Sequence, residues 1–193
     1  MHINPTPRIN DNLPEEEQVK KGLRRMNSGK AAGASDMTVE HLKEWMEGAE
    51  DEEIPTHTKK EWAMALKLVE HCFTNDAKEA PRAFEIGILA LIPKDITSYQ
   101  GIALLESICK LASAIVSFRL SEGIQLHDAI HGFRAKRGTG TAILELKLLM
   151  QHTKLCGVKK LCIIFLDLQK ACHTLDQGRT LEILEGCGVG PSV

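Results

Sequence analysis

The stretch KLCIIFLD, residues 160–167, decides how the rest of the sequence is interpreted. Residues 161–166 form an unbroken apolar run of strand length, and the run ends abruptly in Asp167. Continuous apolar runs of this length are typical of strands that are buried on both faces of a sheet. We therefore predict a buried strand here, with the carboxylate of Asp167 at its end.

Asp167 has two interpretations when its position alone is considered. An ionised carboxylate at the end of a buried strand is costly unless it is solvated, hydrogen-bonded or bound to a metal. Sites are usually built at the ends of such strands, which favours a functional role. Alternatively, Asp167 caps the turn into LQKAC, residues 168–172, a role for which aspartate is well suited. Position alone favours the capping role.

Helical patterns dominate the sequence before this strand. Pro14 and the three glutamates after it predict a helix start, and Val19, Leu23 and Met26 follow at helical spacing. We predict further helices over about 38–46, ended by Gly48, and over 59–74, 104–120, 141–152 and 179–185, with a short strand over 85–93. The chain is thus expected to be mixed α/β and mostly helical, with residues 1–13 as a loose arm.

The composition limits the kinds of nucleic-acid site that the chain can carry. Hydrophobic residues make up 43% and charged residues 26% of the 193 residues, the balance of a folded globular protein. The formal net charge is −2, so any contact with a polyanion must be local. Aromatic residues make up only 4%, which disfavours a site built on rows of stacked aromatic side chains.

The cysteines indicate a reducing environment. None forms a C-x-x-C pair, and most lie within apolar runs, where a thiol behaves as a small hydrophobic side chain. The six are Cys72, Cys109, Cys156, Cys162, Cys172 and Cys187. We also find no charged-then-apolar signal pattern at the N-terminus and no apolar stretch near the roughly 20 residues that span a bilayer. The sequence therefore predicts an intracellular protein without a membrane partner.

Four blocks of the sequence together resemble the reverse transcriptases of non-LTR-type retroelements. FLDLQKACHTLD, residues 165–176, resembles the first catalytic motif of that family, F-x-D-x-x-K-A-[FY]-D. The segments LIPK and YQGIALLESICKL resemble the family's I-P-K and Y-R-[GP]-I-x-L segments. The segment HGFRAKRGTGTA resembles its G-F-R-x-x-R-[GS]-T block, and SGKAAGASDMTVEHLKEW resembles its opening block. The four occur in the family's order over residues 28–176, which coincidence explains poorly.

The resemblance implies the fingers and the start of the palm of a right-hand polymerase, with residues 14–193 as a partial reverse transcriptase domain. Asp167, with the carbonyl of Leu168, would hold Mg²⁺ beside a DNA primer on an RNA template, where a dNTP is added. The family takes its other carboxylates from a Y-x-D-D hairpin farther downstream. We therefore expect no polymerase activity from this chain by itself, and an incomplete palm sheet whose strand has an unpaired edge.

The resemblance also assigns contacts with nucleotide or template to basic residues. It places Arg134, Lys136 and Arg137 against phosphate, beside glycines that allow close approach of the backbone. The alternative is a solvated turn leading into the next helix, which is the usual role of a lone basic triplet. For Lys30 and Lys94, family position is the only reason to favour phosphate contact.

Several positions depart from the family pattern. Cys172 stands where the family has a Phe or Tyr that excludes the 2′-hydroxyl of a ribonucleotide, and a thiol is too small for that task. His173 replaces an acidic residue, Gln100 an arginine, and Asp36 a glycine. Together these changes favour a degenerate copy of an element, with sequence divergence in an active element as the alternative.

A rival function is a non-catalytic helical interaction module that retains a degenerate polymerase framework. A third possibility is a metal protein, because His127 and His131 lie four residues apart, as two ligands on one helical face would. No third ligand accompanies them in H-E-x-x-H form, so we interpret both as surface or packed histidines, with a zinc site as the weaker alternative.

Overall fold

The element order follows the helical and apolar patterns of the sequence closely. The protein is described by a computed structural model over residues 9, 12–51, 56–74, 84, 86–93, 99–157, 160–168, 171 and 174–190. This part of the chain is mixed α/β and mostly helical, as predicted. Its elements are α1 (Glu16–Arg25), α2 (Val39–Glu50), α3 (Thr56–His71), β1 (Ile88–Pro93), β2 (Tyr99–Leu104), α4 (Ser107–Gly123), α5 (Thr139–Leu155) and α6 (Gln177–Gly186).

Charge and apolar spacing account for α1. Glutamates occupy its first turn and arginines its last, the arrangement that complements the helix dipole. Of the three residues at helical spacing, Val19 and Leu23 are buried, and Met26, at the C-cap, is partly buried against the core. Before the helix, Ile9 is buried and the carbonyl of Asn12 accepts a 2.7 Å hydrogen bond from Arg119 of α4. These two positions of the predicted arm are therefore held against the helices.

α2 begins where the sequence predicts and ends later. Thr38 caps it, accepting a 3.3 Å hydrogen bond from the backbone N–H of His41, while the Thr38 N–H donates to Nδ1 of His41. The prediction that Gly48 ends the helix is wrong, because α2 continues to Glu50. Gly48 is buried and Ala49 packs on the core, so packing here outweighs the low helix propensity of glycine.

The first four helices share an aliphatic core. Its buried members include residues that recur at helical spacing along α3 and α4, such as Trp62, Val69, Ile108 and Leu111. The full set is Val19, Leu23, Val39, Leu42, Met46, Trp62, Ala65, Val69, Phe73, Ile108, Leu111, Ala112 and Ile115. This core fixes the loop between α1 and α2 next to the start of α4.

The two strands form an antiparallel hairpin, with Ile88 paired to Leu104 and Pro93 to Tyr99. The predicted strand over 85–93 is confirmed in its second part. The predicted helix start at Leu104 is wrong, because Leu104 pairs in β2 and α4 begins three residues later. Several apolar side chains of the hairpin, among them Leu89 and Leu91, remain exposed.

The described residues divide into two compact units, one of residues up to 120 with 189 and 190, the other of residues 121–188. The first unit contains the core. Within the second, no described residue is buried, although α5 and α6 cover the helices predicted over 141–152 and 179–185. α6 is capped by Asp176, whose Oδ1 accepts a 3.0 Å hydrogen bond from the Arg179 N–H. No helix in the described ranges is long and apolar enough to cross a membrane.

The predicted buried strand over 161–166 is wrong. Residues 160–168 belong to neither a helix nor a strand, and all of them are exposed, with Phe165 at 81% and Leu166 at 89%. A strand requires a partner for its backbone hydrogen bonds, and the strands among the described residues, β1 and β2, pair with each other. The apolar run therefore lacks a sheet to join within the described part of the chain.

Candidate nucleic-acid interface

Lys30 lies in the loop between α1 and α2, residues 27–38, which we call the 27–38 loop. The backbone is held on both sides of Lys30: the Gly29 N–H donates to the carboxylate of Glu40, and Lys110 Nζ donates to the Ala31 carbonyl at 3.0 Å. The Gly29 hydrogen bond lowers the pKa of Glu40, so this carboxylate remains ionised. The side chain of Lys30 is exposed and free to reach a phosphate.

The remainder of the 27–38 loop is attached to α4 through Glu106. This carboxylate is 3% exposed and accepts hydrogen bonds from the Ser35 N–H at 2.8 Å and the Ser35 hydroxyl at 2.5 Å. The next residue, Ser107, donates to the Met37 carbonyl at 2.6 Å. The loop is therefore a fixed structure, and its acceptors for backbone N–H groups come from the chain's own glutamates.

The predicted phosphate ligands Arg134 and Arg137 lie on one turn, residues 127–138, which we call the basic turn. Arg134 Nη1 donates to the carbonyls of His127 and Ile130 at 3.0 and 3.1 Å. Arg137 donates to the carbonyl of Asp128 and, at 2.8 Å, to its carboxylate, which also lies 3.9 Å from Arg134. Both guanidinium groups thus hold the turn together, and part of their hydrogen-bonding capacity is used within it.

Two residues of the basic turn have left-handed backbone conformations. Phe133 has a φ of +56° and Lys136 a φ of +61°. Such conformations cost roughly 1–3 kcal/mol for residues other than glycine and persist where the surroundings enforce them. The Phe133 side chain has a relative exposure of 108%, and Lys136 is also exposed. The turn therefore directs one ring and one ammonium group into solvent.

His131 attaches the basic turn to α5. Its Nδ1 lies 2.8 Å from the hydroxyl of Thr141 and its Nε2 lies 2.5 Å from the carboxylate of Glu145. Thr141 in turn accepts a 3.0 Å hydrogen bond from the Gly138 N–H. His127 uses Nδ1 to accept a hydrogen bond from the Ala129 N–H. His127 is exposed and His131 is partly buried, which agrees with the interpretation of the two as surface or packed histidines.

Asp167 is exposed on the irregular segment described above. It makes no hydrogen bond or ion pair with any residue that the structure describes, and residues 169 and 170, whose N–H groups the capping interpretation would use, lie outside the described residues. Leu168 beside it is 77% exposed. The carboxylate is thus open to solvent and could accept a ligand.

The described residues do not by themselves fit a magnesium site. Mg²⁺ requires close to octahedral oxygen coordination, usually with one or two carboxylates as protein ligands. In the described ranges, no group of three or more His, Cys, Asp or Glu side chains lies close enough together to hold a metal. Asp167 and the Leu168 carbonyl therefore supply at most a part of such a site.

The structure brings only some of the predicted residues together. Arg134, Lys136 and Arg137 share the basic turn, whereas Lys30 lies in the other compact unit. Lys94 and Cys172 lie outside the described residues. Sequence reasoning did not single out Phe133 or Asp128. Asp128 is six and nine residues from its arginine partners, and no sequence periodicity links such positions in a turn.

No protein-family model, no curated protein and no solved structure matches the chain.

Proposed function

We propose that the chain is part of a reverse transcriptase of a non-LTR-type retroelement, comprising the fingers and the first segment of the palm. The four motif blocks, in family order over residues 28–176, support this assignment. The mixed, mostly helical architecture and the hairpin that carries LIP and YQGIAL are compatible with a fingers region. The intracellular setting that we propose agrees with the absence of any disulfide among the described cysteines.

The observation that carries this proposal is the basic turn. It gathers three cationic side chains within four residues of a chain whose net charge is −2, with Lys136 exposed and the two arginines partly exposed beside Asp128. A local cluster of this kind is what a polyanion contact requires when the whole-chain charge gives no attraction. Arg134, Lys136 and Arg137, with Lys30 on the other unit, are the proposed contacts with template or nucleotide phosphates, and Lys94 and Cys172 complete the set by family position.

Asp167 is the proposed catalytic residue and a magnesium ligand of the complete enzyme, together with the Leu168 carbonyl. In two-metal polymerisation, Mg²⁺ activates the attacking hydroxyl and stabilises the leaving group. The 193 residues contain no Y-x-D-D sequence, since their single tyrosine, Tyr99, is followed by Gln-Gly-Ile. Because the resemblance takes the other metal-binding carboxylates from a Y-x-D-D block, we expect this chain to bind nucleic acid without extending a primer.

The test uses the full chain and a fluorescein-labelled single-stranded RNA, with binding followed by anisotropy over a series of salt concentrations. The double variant Lys30→Gln/Lys136→Gln removes two exposed cations that make no described hydrogen bond. It should reduce the magnitude of the salt slope by about 1.4, or about 0.7 per lost phosphate contact on a single strand. The matched control, Lys59→Gln/Lys67→Gln, removes two exposed cations of α3, outside the motif blocks.

Two results would contradict the proposal: the wild-type chain could fail to bind RNA, or the two double variants could lose affinity equally. Extension of a DNA primer on an RNA template with Mg²⁺ would instead show that the expected inactivity is wrong.

A second candidate, the non-catalytic interaction module, is favoured by one observation. The second unit exposes many large apolar side chains, including Leu144, Leu148 and Leu149 on α5, and no described residue of that unit is buried. Exposed apolar surface of this extent is typical of a region that packs against another partner. A chain that binds no RNA under any salt condition would leave this candidate as the better explanation.

A further inference from the structure

Phe133 is the most exposed large hydrophobic residue in the described part of the chain. Exposed apolar side chains are common, but a fully exposed aromatic ring on a left-handed backbone is not, because that conformation is unfavourable for a bulky residue. Strained positions of this kind concentrate at binding and catalytic sites. The exposed ring is therefore a candidate for contact with a ligand.

The turn that carries the ring is held from several sides. Arg134 hydrogen-bonds to two carbonyls on the far side of the turn, and Arg137 hydrogen-bonds to both the carbonyl and the carboxylate of Asp128. His131, two residues before the ring, contacts Thr141 and Glu145 of α5. A ring presented on such a turn loses little conformational entropy on binding, which favours affinity.

The chemistry around the ring favours a nucleic acid as its ligand. Phe133 is followed by three cationic residues within four positions, and two of these direct donors into the turn. Lys136 remains exposed, on the second left-handed position of the same turn. An aromatic face combined with nearby cations is the pattern by which proteins bind single strands, where bases stack on the ring and phosphates contact the cations. A protein pocket for the ring would instead have to desolvate these charges.

We infer that Phe133 is a stacking platform for one unpaired nucleobase, and that Lys136 contacts a phosphate of the same strand. The inference rests on the proposed function, since it assumes that the chain binds single-stranded nucleic acid. It adds a contact with a base to a turn for which only phosphate contacts were proposed above. A single ring also accords with a chain in which aromatic residues make up only 4%. Binding at Phe133 should therefore tolerate any nucleic-acid sequence, because every base has a face that can stack on the ring.

The experiment compares the full chain with Phe133→Leu and Phe133→Tyr by anisotropy, using a labelled ten-nucleotide RNA and an abasic strand of equal length. The leucine variant keeps an apolar side chain and removes the aromatic face, and tyrosine restores that face. Phe133→Leu should bind the RNA roughly five- to 150-fold more weakly, the range for loss of one stacked base, and Phe133→Tyr should bind as the wild type does. The abasic strand should bind all three proteins equally.

Salt dependence separates the ring from the lysine. Phe133→Leu should leave the slope of log affinity against log salt unchanged, whereas Lys136→Gln should reduce its magnitude by about 0.7. If the wild type binds RNA and Phe133→Leu binds it equally well, the stacking inference is wrong and the proposed function stands. A loss that is equal on the abasic strand also overturns the inference. If the wild type does not bind RNA, both are overturned.

Discussion

The carboxylate of Glu106 accepts hydrogen bonds from both the backbone N–H and the hydroxyl of Ser35, at 2.8 and 2.5 Å. The two residues are 71 positions apart, and their hydrogen bonds join the 27–38 loop to the residue immediately before α4. Since Glu106 is 3% exposed, these two donors are what makes its burial tolerable. Glu106 is therefore one of the groups that hold the loop carrying Lys30, together with Glu40, Ser107 and Lys110.

Replacement of Glu106 should destabilise the first unit. Glu106→Ala removes both acceptors and leaves the Ser35 N–H and hydroxyl without their partner, so we expect a loss of about 2–3 kcal/mol in the free energy of unfolding. Urea denaturation followed by circular dichroism at 222 nm measures it. Glu122→Ala, an exposed change near the end of α4, should cost no more than about 0.5 kcal/mol. Equal unfolding midpoints for the two variants would contradict this account.

Gly33 should tolerate no side chain. A Cβ atom at this position would lie 2.6 Å from the side-chain oxygen Oε1 of Glu106 and 2.8 Å from the backbone of the same residue, which cannot move aside cheaply. We expect Gly33→Ala to cost about 1–3 kcal/mol, the usual range for overpacking. Gly87→Ala is the control, because its nearest described neighbour is Leu105 Cδ2 at 3.9 Å. Comparable thermal midpoints for both variants would argue against the close approach.

Periodicity predicted the helices because the core faces of α1, α3 and α4 repeat every three to four residues. The prediction that Gly48 ends α2 was wrong because the local sequence does not show how that turn packs. The buried strand predicted at 161–166 was also wrong, because a continuous apolar run is typical of a strand only where neighbouring strands and covering layers are present. A strand depends on partners that the segment's own residues do not specify.

Within the candidate site, the sequence located the basic turn but not the directions of its side chains. Arg134 and Arg137 were expected to face phosphate. In the structure Arg134 hydrogen-bonds to the carbonyls of His127 and Ile130, and Arg137 hydrogen-bonds to the carbonyl and carboxylate of Asp128. Phe133 belongs to one of the four motif blocks, yet nothing in the sequence showed that its φ is positive or its ring exposed. Such features depend on interactions made across a turn, which residue types alone do not determine.

The hydrogen bond between Trp62 and Glu16 should make the stability of the first unit depend on pH. The pKa of Glu16 is lowered chiefly by the 2.9 Å hydrogen bond from the indole N–H and then by Lys20. A lowered pKa means that folding favours the ionised carboxylate. The resulting stabilisation is complete above the ordinary value of 4.5 and is lost as the pH falls through the lowered pKa.

Trp62→Phe tests this dependence. The variant should lose more stability at pH 7 than at pH 3, by about 1 kcal/mol, a low value because Glu16 is half exposed and partly screened. Urea denaturation at the two pH values measures the difference. Glu16→Gln should give a flatter pH profile than the wild type for the same reason. A Trp62→Phe penalty that is identical at both pH values would show that only packing of the ring matters.

The two units should differ in local stability. Amide protons of α2 and α4, whose helices carry buried Leu42 and Leu111, should exchange slowly, whereas those of α5 should exchange fast, because no described residue of its unit is buried. Leu42→Ala should accordingly cost about 2–5 kcal/mol, and Leu148→Ala, at a side chain that is 55% exposed, no more than about 0.5 kcal/mol. Hydrogen exchange with mass spectrometry and urea denaturation measure the two effects. Slow exchange in α5 of the isolated chain would require burial of its apolar side chains against a partner, such as a second copy, and protein concentration would then change the exchange rate.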